Sequence, residues 1–199
     1  MTQPEARAYV SRGGLKLAAA LDHFKIDVSG LACADLGSHI GGFVDCLLHR
    51  GAARVFAVDT AYGTFAWKLR RDPRVIVLER TNAMHVSLPQ PVDLVTIDVG
   101  WTPQLKVLPN AARLIAEPET TGPWTPGQVV TLIKPHYEAP KGLLKSGVLP
   151  DEAVEPVVNE TLGKLAADGW TVVDTVPSPI RGHAGNREFF ALLTREDAS

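Results

Sequence analysis

Short apolar runs alternate with amphipathic stretches along the chain, the pattern of strands separated by helices in an α/β layered fold. GLKLAAALDHF (14–24) carries Leu17, Leu21 and Phe24 at helical spacing, which predicts a first helix. LACADLG (31–37) reads as a short buried strand. GGFVDCLLHRG (41–51) reads as a helix with Phe43, Val44, Leu47 and Leu48 inward and Gly51 as its stop. RVFAVDT (54–60) is a second strand and TFAWKLRRD (64–72) a second connecting helix; VIVLER (75–80) and VDLVTIDV (92–99) are further strands. A helix is predicted from Thr102 to Glu117, with Pro103 in its first turn and a kink at Pro109. EPETTGPWTPG (117–127) is a Pro/Gly/Thr-rich loop. VVTLI (129–133) is another buried strand. Residues 151–168 form a helix facing inward through Val154, Val157, Val158, Leu162 and Leu165. WTVVDTV (170–176) and REFFALLT (187–194) close the fold as strands. With no internal repeat and no linker between two cores, 1–199 is expected to be a single domain, with tails at 1–8 and 195–199.

Composition narrows the setting. The chain has 199 residues, 45% apolar and 21% charged, enough for one full core in a soluble globular protein. A net charge of −2 demands no polyanionic partner, although a basic face can still be assembled locally. Cys33, in an apolar strand, and Cys46, on an apolar helix face, read as small core residues and not as a disulfide framework. No apolar stretch approaches the roughly 18 residues of a membrane span, and the first residues lack a signal-peptide pattern. A reduced, cytoplasmic setting is expected. The histidines show no H-x-x-x-H spacing, so no metal is assigned.

ADLGSHIGGF is a strand ending at Asp35, a turn through Gly37, Gly41 and Gly42, then a helix. Turns of this kind let backbone approach a ligand and aim helix N–H groups at it. The spacing is D-x-G-x-x-x-G-G rather than G-x-G-x-x-G, the form seen where S-adenosylmethionine binds. Asp59, ending the next strand, lies where an acid would hold the ribose hydroxyls of a nucleoside cofactor. Each feature alone could be an ordinary turn or helix cap; the ordered set favours a nucleoside cofactor.

A second puzzle is Lys134, which ends the apolar strand at 129–133 and is followed by Pro135. Burying or half-burying an ammonium costs on the order of several kcal/mol unless something compensates it. In an open parallel sheet, ligands sit beyond the carboxyl ends of the strands. Asp98 ends the strand at 92–98, and Glu188 begins the last strand. If that last strand runs antiparallel beside the Lys134 strand, then Asp98, Lys134 and Glu188 converge on one cleft. There Lys134 would either take a proton as base or, as an ammonium, orient an attacking oxygen. Otherwise it is a surface lysine at a strand end.

The segments YVSRGGLKL, DLGSHIGGF, RDPRVIVLERTNA, DLVTID, LIKPHYE and SPIRGHAGNREF together resemble the FtsJ-like ribose methyltransferases. Within that group they resemble the TlyA-type (hemolysin A) ribosomal RNA methyltransferases, over nearly the whole chain. The resemblance implies a Rossmann-like S-adenosylmethionine-dependent methyltransferase fold. Its sheet would have seven mostly parallel strands, the last antiparallel, with helices on both faces. It implies a catalytic set at Lys16, Asp98, Lys134 and Glu188, and S-adenosylmethionine held by Gly37, Ser38, Gly41, Gly42, Phe43, Asp59, Asn82 and Asp98. The family usually has small residues or threonine where His39 and Ile40 stand, and Ser-Phe where Gly100 and Trp101 follow Asp98. These departures bear on cofactor affinity and substrate fit. TlyA-type proteins carry a small RNA-binding domain before YVSRGG, whereas eight residues precede Tyr9 here. That domain is expected to be missing, so RNA affinity would come from the basic rim, with better activity on a folded ribosomal subunit or with a protein partner.

The activity implied is ribose 2′-O-methylation of ribosomal RNA. Arg12, Lys141, Lys145, Arg181 and Arg187 are the candidate RNA contacts, within a basic set that also holds Arg7, Lys16, Lys134, His136 and His183. The acids concentrate elsewhere, at Asp151–Glu160 and in the tail. Tyr9, Trp101 and Tyr137 could stack bases or pack the rim. Two other readings are a cofactor-binding RNA-associated protein without catalysis and an NAD-dependent oxidoreductase. A membrane-lytic role has no spanning segment and no free basic amphipathic helix behind it.

Overall fold

The computed structural model describes residues 9–115, 127–182 and 184–195. The elements run α1 (Arg12–Phe24), β1 (Ala32–Leu36), α2 (Gly42–His49), β2 (Arg54–Val58), α3 (Trp67–Arg70), β3 (Val75–Leu78) and β4 (Leu94–Ile97). They continue with α4 (Gln104–Leu114), β5 (Gln128–Ile133), α5 (Pro135–Glu138), α6 (Asp151–Ala167), β6 (Trp170–Pro177) and β7 (Phe189–Arg195). Seven strands form one sheet in the order β3-β2-β1-β4-β5-β7-β6. The first five strands are parallel, and β7 runs antiparallel between β5 and β6.

Strand alternation sorts the core into two layers. Cys33, Val55, Leu94, Val130, Leu132 and Phe190 face one side, where Leu17 and Leu21 of α1 and Val44 and Leu47 of α2 cover them. Ala34, Phe56, Val95, Ile97, Val129 and Leu193 face the other, against Val107, Leu108 and Ala111 of α4 and Leu165 of α6. Strands buried on both faces need continuous apolar runs, which is why their sequences lack a polar stripe. Both cysteines are buried free thiols. Ser11 starts α1, its hydroxyl accepting from the Gly13 N–H at 3.3 Å.

Three expectations need correction. The helix at 64–72 is a single turn, because Phe65 and Leu69 alone bury there and residues 61–66 are irregular. The helix from Thr102 starts at Gln104, with Pro103 as its N-cap, and ends at Leu114, since Ile115 bridges Val92. Arg195 belongs to β7 rather than to a tail, paired with Trp170. Residues 1–8, 116–126, 183 and 196–199 lie outside the described residues, and with them most of the predicted loop and tails, Arg7 and His183. Among the described residues no helix is long and apolar enough to cross a membrane.

Candidate active site

The parallel strands end along one edge of the sheet, and the candidate residues hang from that edge. Gly37 follows β1, Asp59 follows β2, Asp98 follows β4 and Lys134 follows β5. Because β7 is antiparallel to β5, Glu188 at its start reaches the same edge. Two adjoining cavities of about 570 and 520 Å³ open there and share Gly37, His39, Asp98, Trp101, Lys134 and Tyr137. Lys16, Ser38, Gly42, Phe43 and Glu188 line only the first; Asp59 and Asn82 line only the second.

Two ion pairs organise the larger cavity. Lys134 Nζ lies 2.6 Å from Asp98 Oδ1 and donates to the Val99 carbonyl at 3.0 Å. Lys16 Nζ, brought in by α1, lies 2.6 Å from Glu188 Oε2. Asp98, Lys134 and Glu188 line one cavity, but Lys134 pairs with Asp98 alone, because Glu188 is taken by Lys16. The reason is tertiary, since α1 packs against α2 over the sheet and delivers Lys16 from a distant part of the chain. Gly182 backs Glu188 so closely that a Cβ there would collide with the carboxylate.

The glycine turn is built for backbone approach. Gly37 has φ +94°, and a Cβ there would lie 2.5 Å from the Asp98 carbonyl. The Gly37 and Ser38 N–H groups both donate to the Val58 carbonyl, at 2.8 and 3.0 Å. Gly41 caps α2, and Gly42 meets Ser11 and Gly14 of α1 with no room for a side chain. Asp59 accepts from the His39 N–H and the Ala61 N–H, each at 2.7 Å, so it ties the turn to the end of β2. Asn82 is exposed, and its side-chain oxygen accepts from the Met84 N–H at 2.9 Å.

Asp35 is a feature that sequence reading placed but did not interpret. It is fully buried at the floor of the first cavity. Thr96 donates to its Oδ1 at 2.8 Å, while its Oδ2 is buried with no partner. Burial pushes its carboxyl up to about 7. His136 also lines this cavity; burial first, then the Lys134 charge, lowers it to about 4. Trp101 is 86% exposed at the shared mouth, 5.1 Å from the Tyr137 ring.

The candidate RNA contacts separate. Arg12 lines the first cavity. Lys141 and Lys145 are exposed on the loop after α5 and line neither cavity. Arg181 pairs with Asp151, and Arg187 with Glu155, each at 2.9 Å. The acids of α6 are therefore not elsewhere: the fold lays the start of that helix against two of the candidate cations. Tyr9 packs against Gly14 and stacks on His49 at 5.4 Å. Among the described residues, no group of three or more His, Cys, Asp or Glu side chains converges to hold a metal.

The model of the FtsJ-like methyltransferases matches residues 9–195. The chain belongs to the FtsJ-like methyltransferase family. It is 40% identical to the 16S/23S rRNA (cytidine-2′-O)-methyltransferase TlyA of Mycobacterium tuberculosis, over 94% of this chain and 69% of that protein. A hemolysin-designated crystal structure from Lactococcus lactis superposes with a TM-score of 0.87 at 34% identity, covering 96% of this chain and 90% of that one. The N-methyltransferase NodS of Bradyrhizobium japonicum, solved with S-adenosyl-L-homocysteine, shares the fold at a TM-score of 0.61 and 15% identity, covering 94% of this chain and 86% of that one.

The residues of this FtsJ-like chain fit an adenosyl sulfonium cofactor. The unpartnered Asp35 Oδ2 at the cavity floor suits a cationic group. The Gly37 turn, with no side chain, packs against the Asp98 carbonyl and presents bare backbone to both cavities. Asp59 and Asn82 present oxygens to the second cavity, of a size for a nucleoside.

Proposed function

We propose that this FtsJ-like methyltransferase transfers a methyl group from S-adenosylmethionine to a ribose 2′-oxygen of ribosomal RNA. One observation carries the reading: the Lys134–Asp98 pair, 2.6 Å apart, stands on the wall shared by the two cavities. A group on that wall faces both an adenosine in the second cavity and the first cavity, where the cofactor's sulfonium end and the second substrate meet. When bound, the sulfonium supplies an electrophilic methyl and leaves as a neutral thioether. In-line displacement by a hydroxyl requires the proton of that hydroxyl to leave as the carbon–oxygen bond forms. Lys134 handles that proton, and Asp98 with the Val99 carbonyl holds its Nζ in place.

Glu188 holds Lys16 in the first cavity, where the Lys16 side chain meets the incoming ribose or its phosphate. Gly37, Ser38, Gly41, Gly42 and Phe43 shape the bed of the cofactor, and Asp59 and Asn82 take its adenosine. The name of the tuberculosis relative supports ribosomal RNA as the substrate and the 2′-oxygen as the target.

The test is a single-turnover assay with methyl-labelled S-adenosylmethionine and ribosomal subunits that lack the modification, with the product mapped by alkaline-resistant linkages. Label on a ribose 2′-oxygen is the expected result. Cofactor binding without transfer to any RNA would instead favour a non-catalytic RNA-associated role.

A further inference from the structure

Apart from Trp101 at the cavity mouth, two exposed aromatic side chains lie together beside the cleft among the described residues. Tyr62 is 67% and Trp67 69% exposed, both beside β3 at the far end of the sheet. The Arg80 guanidinium lies 4.2 Å from the centre of the Tyr62 ring, and both groups face solvent. Arg80 itself takes a left-handed φ of 54°, held by its N–H on the Ala61 carbonyl at 3.3 Å. An arginine in a left-handed conformation with its guanidinium over an exposed tyrosine belongs to the surface and does not pack a core.

This face is continuous with the cleft. The Ala66 N–H donates to the Ile40 carbonyl at 3.0 Å, and the Thr64 hydroxyl to the His39 carbonyl at 3.4 Å. His39 walls both cavities and Ile40 the first. Thr60 and Thr81, which precede and follow the Tyr62–Arg80 contact, line the second cavity. A polymer leaving the cleft over the glycine turn therefore meets Trp67 and Tyr62 next.

Its charge selects the polymer. Residues 62–80 hold Lys68, Arg70, Arg71, Arg74 and Arg80 against Asp72 and Glu79, a basic excess in a chain whose net charge is −2. Arg70 pairs with Glu79, Arg74 with Asp72 and Lys68 with Asp45, which leaves the exposed Arg71 and Arg80 outside those pairs. Exposed aromatics on the same segment as guanidinium groups outside these ion pairs are the makings of a base-stacking, phosphate-binding surface.

We propose that this face is a track for single-stranded RNA flanking the target nucleotide. One base stacks on Trp67 and another on the Tyr62–Arg80 pair, with Arg71 and Arg80 on the phosphates between them. The choice of ligand rests on the RNA-methyltransferase reading above.

The test measures binding of a fluorescein-labelled, mixed-sequence single-stranded RNA of about 12 nucleotides by anisotropy, using the full chain. Trp67→Ala and Tyr62→Ala should each weaken binding about 5- to 150-fold, the range for one base–aromatic stack. Trp67→Phe should keep most of the affinity, because stacking needs only an aromatic face. Arg80→Gln should lower the slope of log affinity against log salt by about 0.7. Affinity for S-adenosylhomocysteine, measured by calorimetry, should be unchanged in all of them and reports that the variants are folded. RNA affinity within about twofold of wild type in the Trp67→Ala Tyr62→Ala double variant overturns the track, and points to a protein partner on this face. Normal RNA methylation in that double variant, with unchanged RNA affinity, sinks the track and leaves the enzyme. A wild type that binds RNA through both aromatics yet methylates none sinks the enzyme and leaves the track.

Discussion

Replacing Lys134 by alanine separates chemistry from scaffolding. The Lys134 side chain is 15% exposed and its partner Asp98 26%, so the pair is mostly buried. Removing the ammonium leaves Asp98 without its 2.6 Å partner and the Val99 carbonyl without its donor. The stability loss for a half-satisfied pair of this kind is about 1–3 kcal/mol. A domain of ordinary stability, about 5–15 kcal/mol, survives that loss folded. Proton handling contributes about 10² to 10⁴ in rate, which is about 2.7–5.4 kcal/mol of barrier at 1.36 kcal/mol per decade. The chemical effect is a change in barrier, separate from the stability loss, and is read on folded protein. The assay is single-turnover methyl transfer with saturating cofactor across pH, beside calorimetry for cofactor affinity. Lys134→Ala should lose about two to four decades of rate and keep cofactor affinity nearly intact. Lys134→Arg should not rescue, because guanidinium holds its proton and differs in shape. Transfer by Lys134→Ala at the wild-type rate would refute the reasoning and leave Lys134 as a structural partner of Asp98 at a strand end.

Other consequences follow from the pairing and burial at the same site. Glu188 touches Lys16 and not Lys134, so Lys16→Ala and Glu188→Ala should be strongly non-additive in rate, while Lys134→Ala and Glu188→Ala combine more nearly additively; full additivity of the first pair would show that their contact is idle. Gly37→Ala forces a left-handed φ on a side chain aimed at the Asp98 carbonyl and should abolish cofactor binding, with a lowered Tm; unaltered binding would exclude close backbone approach. Asp35 is held protonated up to about pH 7, so binding a cationic cofactor should expel a proton near neutral pH; calorimetry in buffers of different ionisation enthalpy should detect it in wild type and not in Asp35→Asn. The same raised carboxyl favours the folded state most below its ordinary value of 3.8, and that contribution fades as pH rises through about 7. His136 has the opposite sign: its lowered value of about 4 contributes stability above 6.5 that is lost as pH falls through 4. Chemical denaturation across pH 4–7 should thus steepen in the acid limb for Asp35→Asn and flatten for His136→Gln, and identical pH profiles would refute both assignments.

The fold class was legible because strands buried on both faces must be apolar throughout, and the helices between them must show a stripe. The turn at Gly37–Gly42 and the acid at Asp59 were legible because a backbone that approaches a ligand admits only certain residues. Lys134 stood out because a charge at the end of a core strand needs a reason. Element edges were less legible: the turn at Trp67–Arg70 stays short because only Phe65 and Leu69 find a core to enter, which composition cannot tell. Partnership was not legible at all. Nothing local says that Glu188 belongs to Lys16, residues 172 positions apart, or that the acids of α6 neutralise Arg181 and Arg187. The Asp35 carboxylate could be seen at a strand end, but its orphaned oxygen depends on what the sheet places above it. Residue type and order are properties of the chain, so sequence determines which chemistry is present. Which charge meets which is decided by packing, where α1, α6 and the antiparallel β7 bring distant segments within a hydrogen bond of one another.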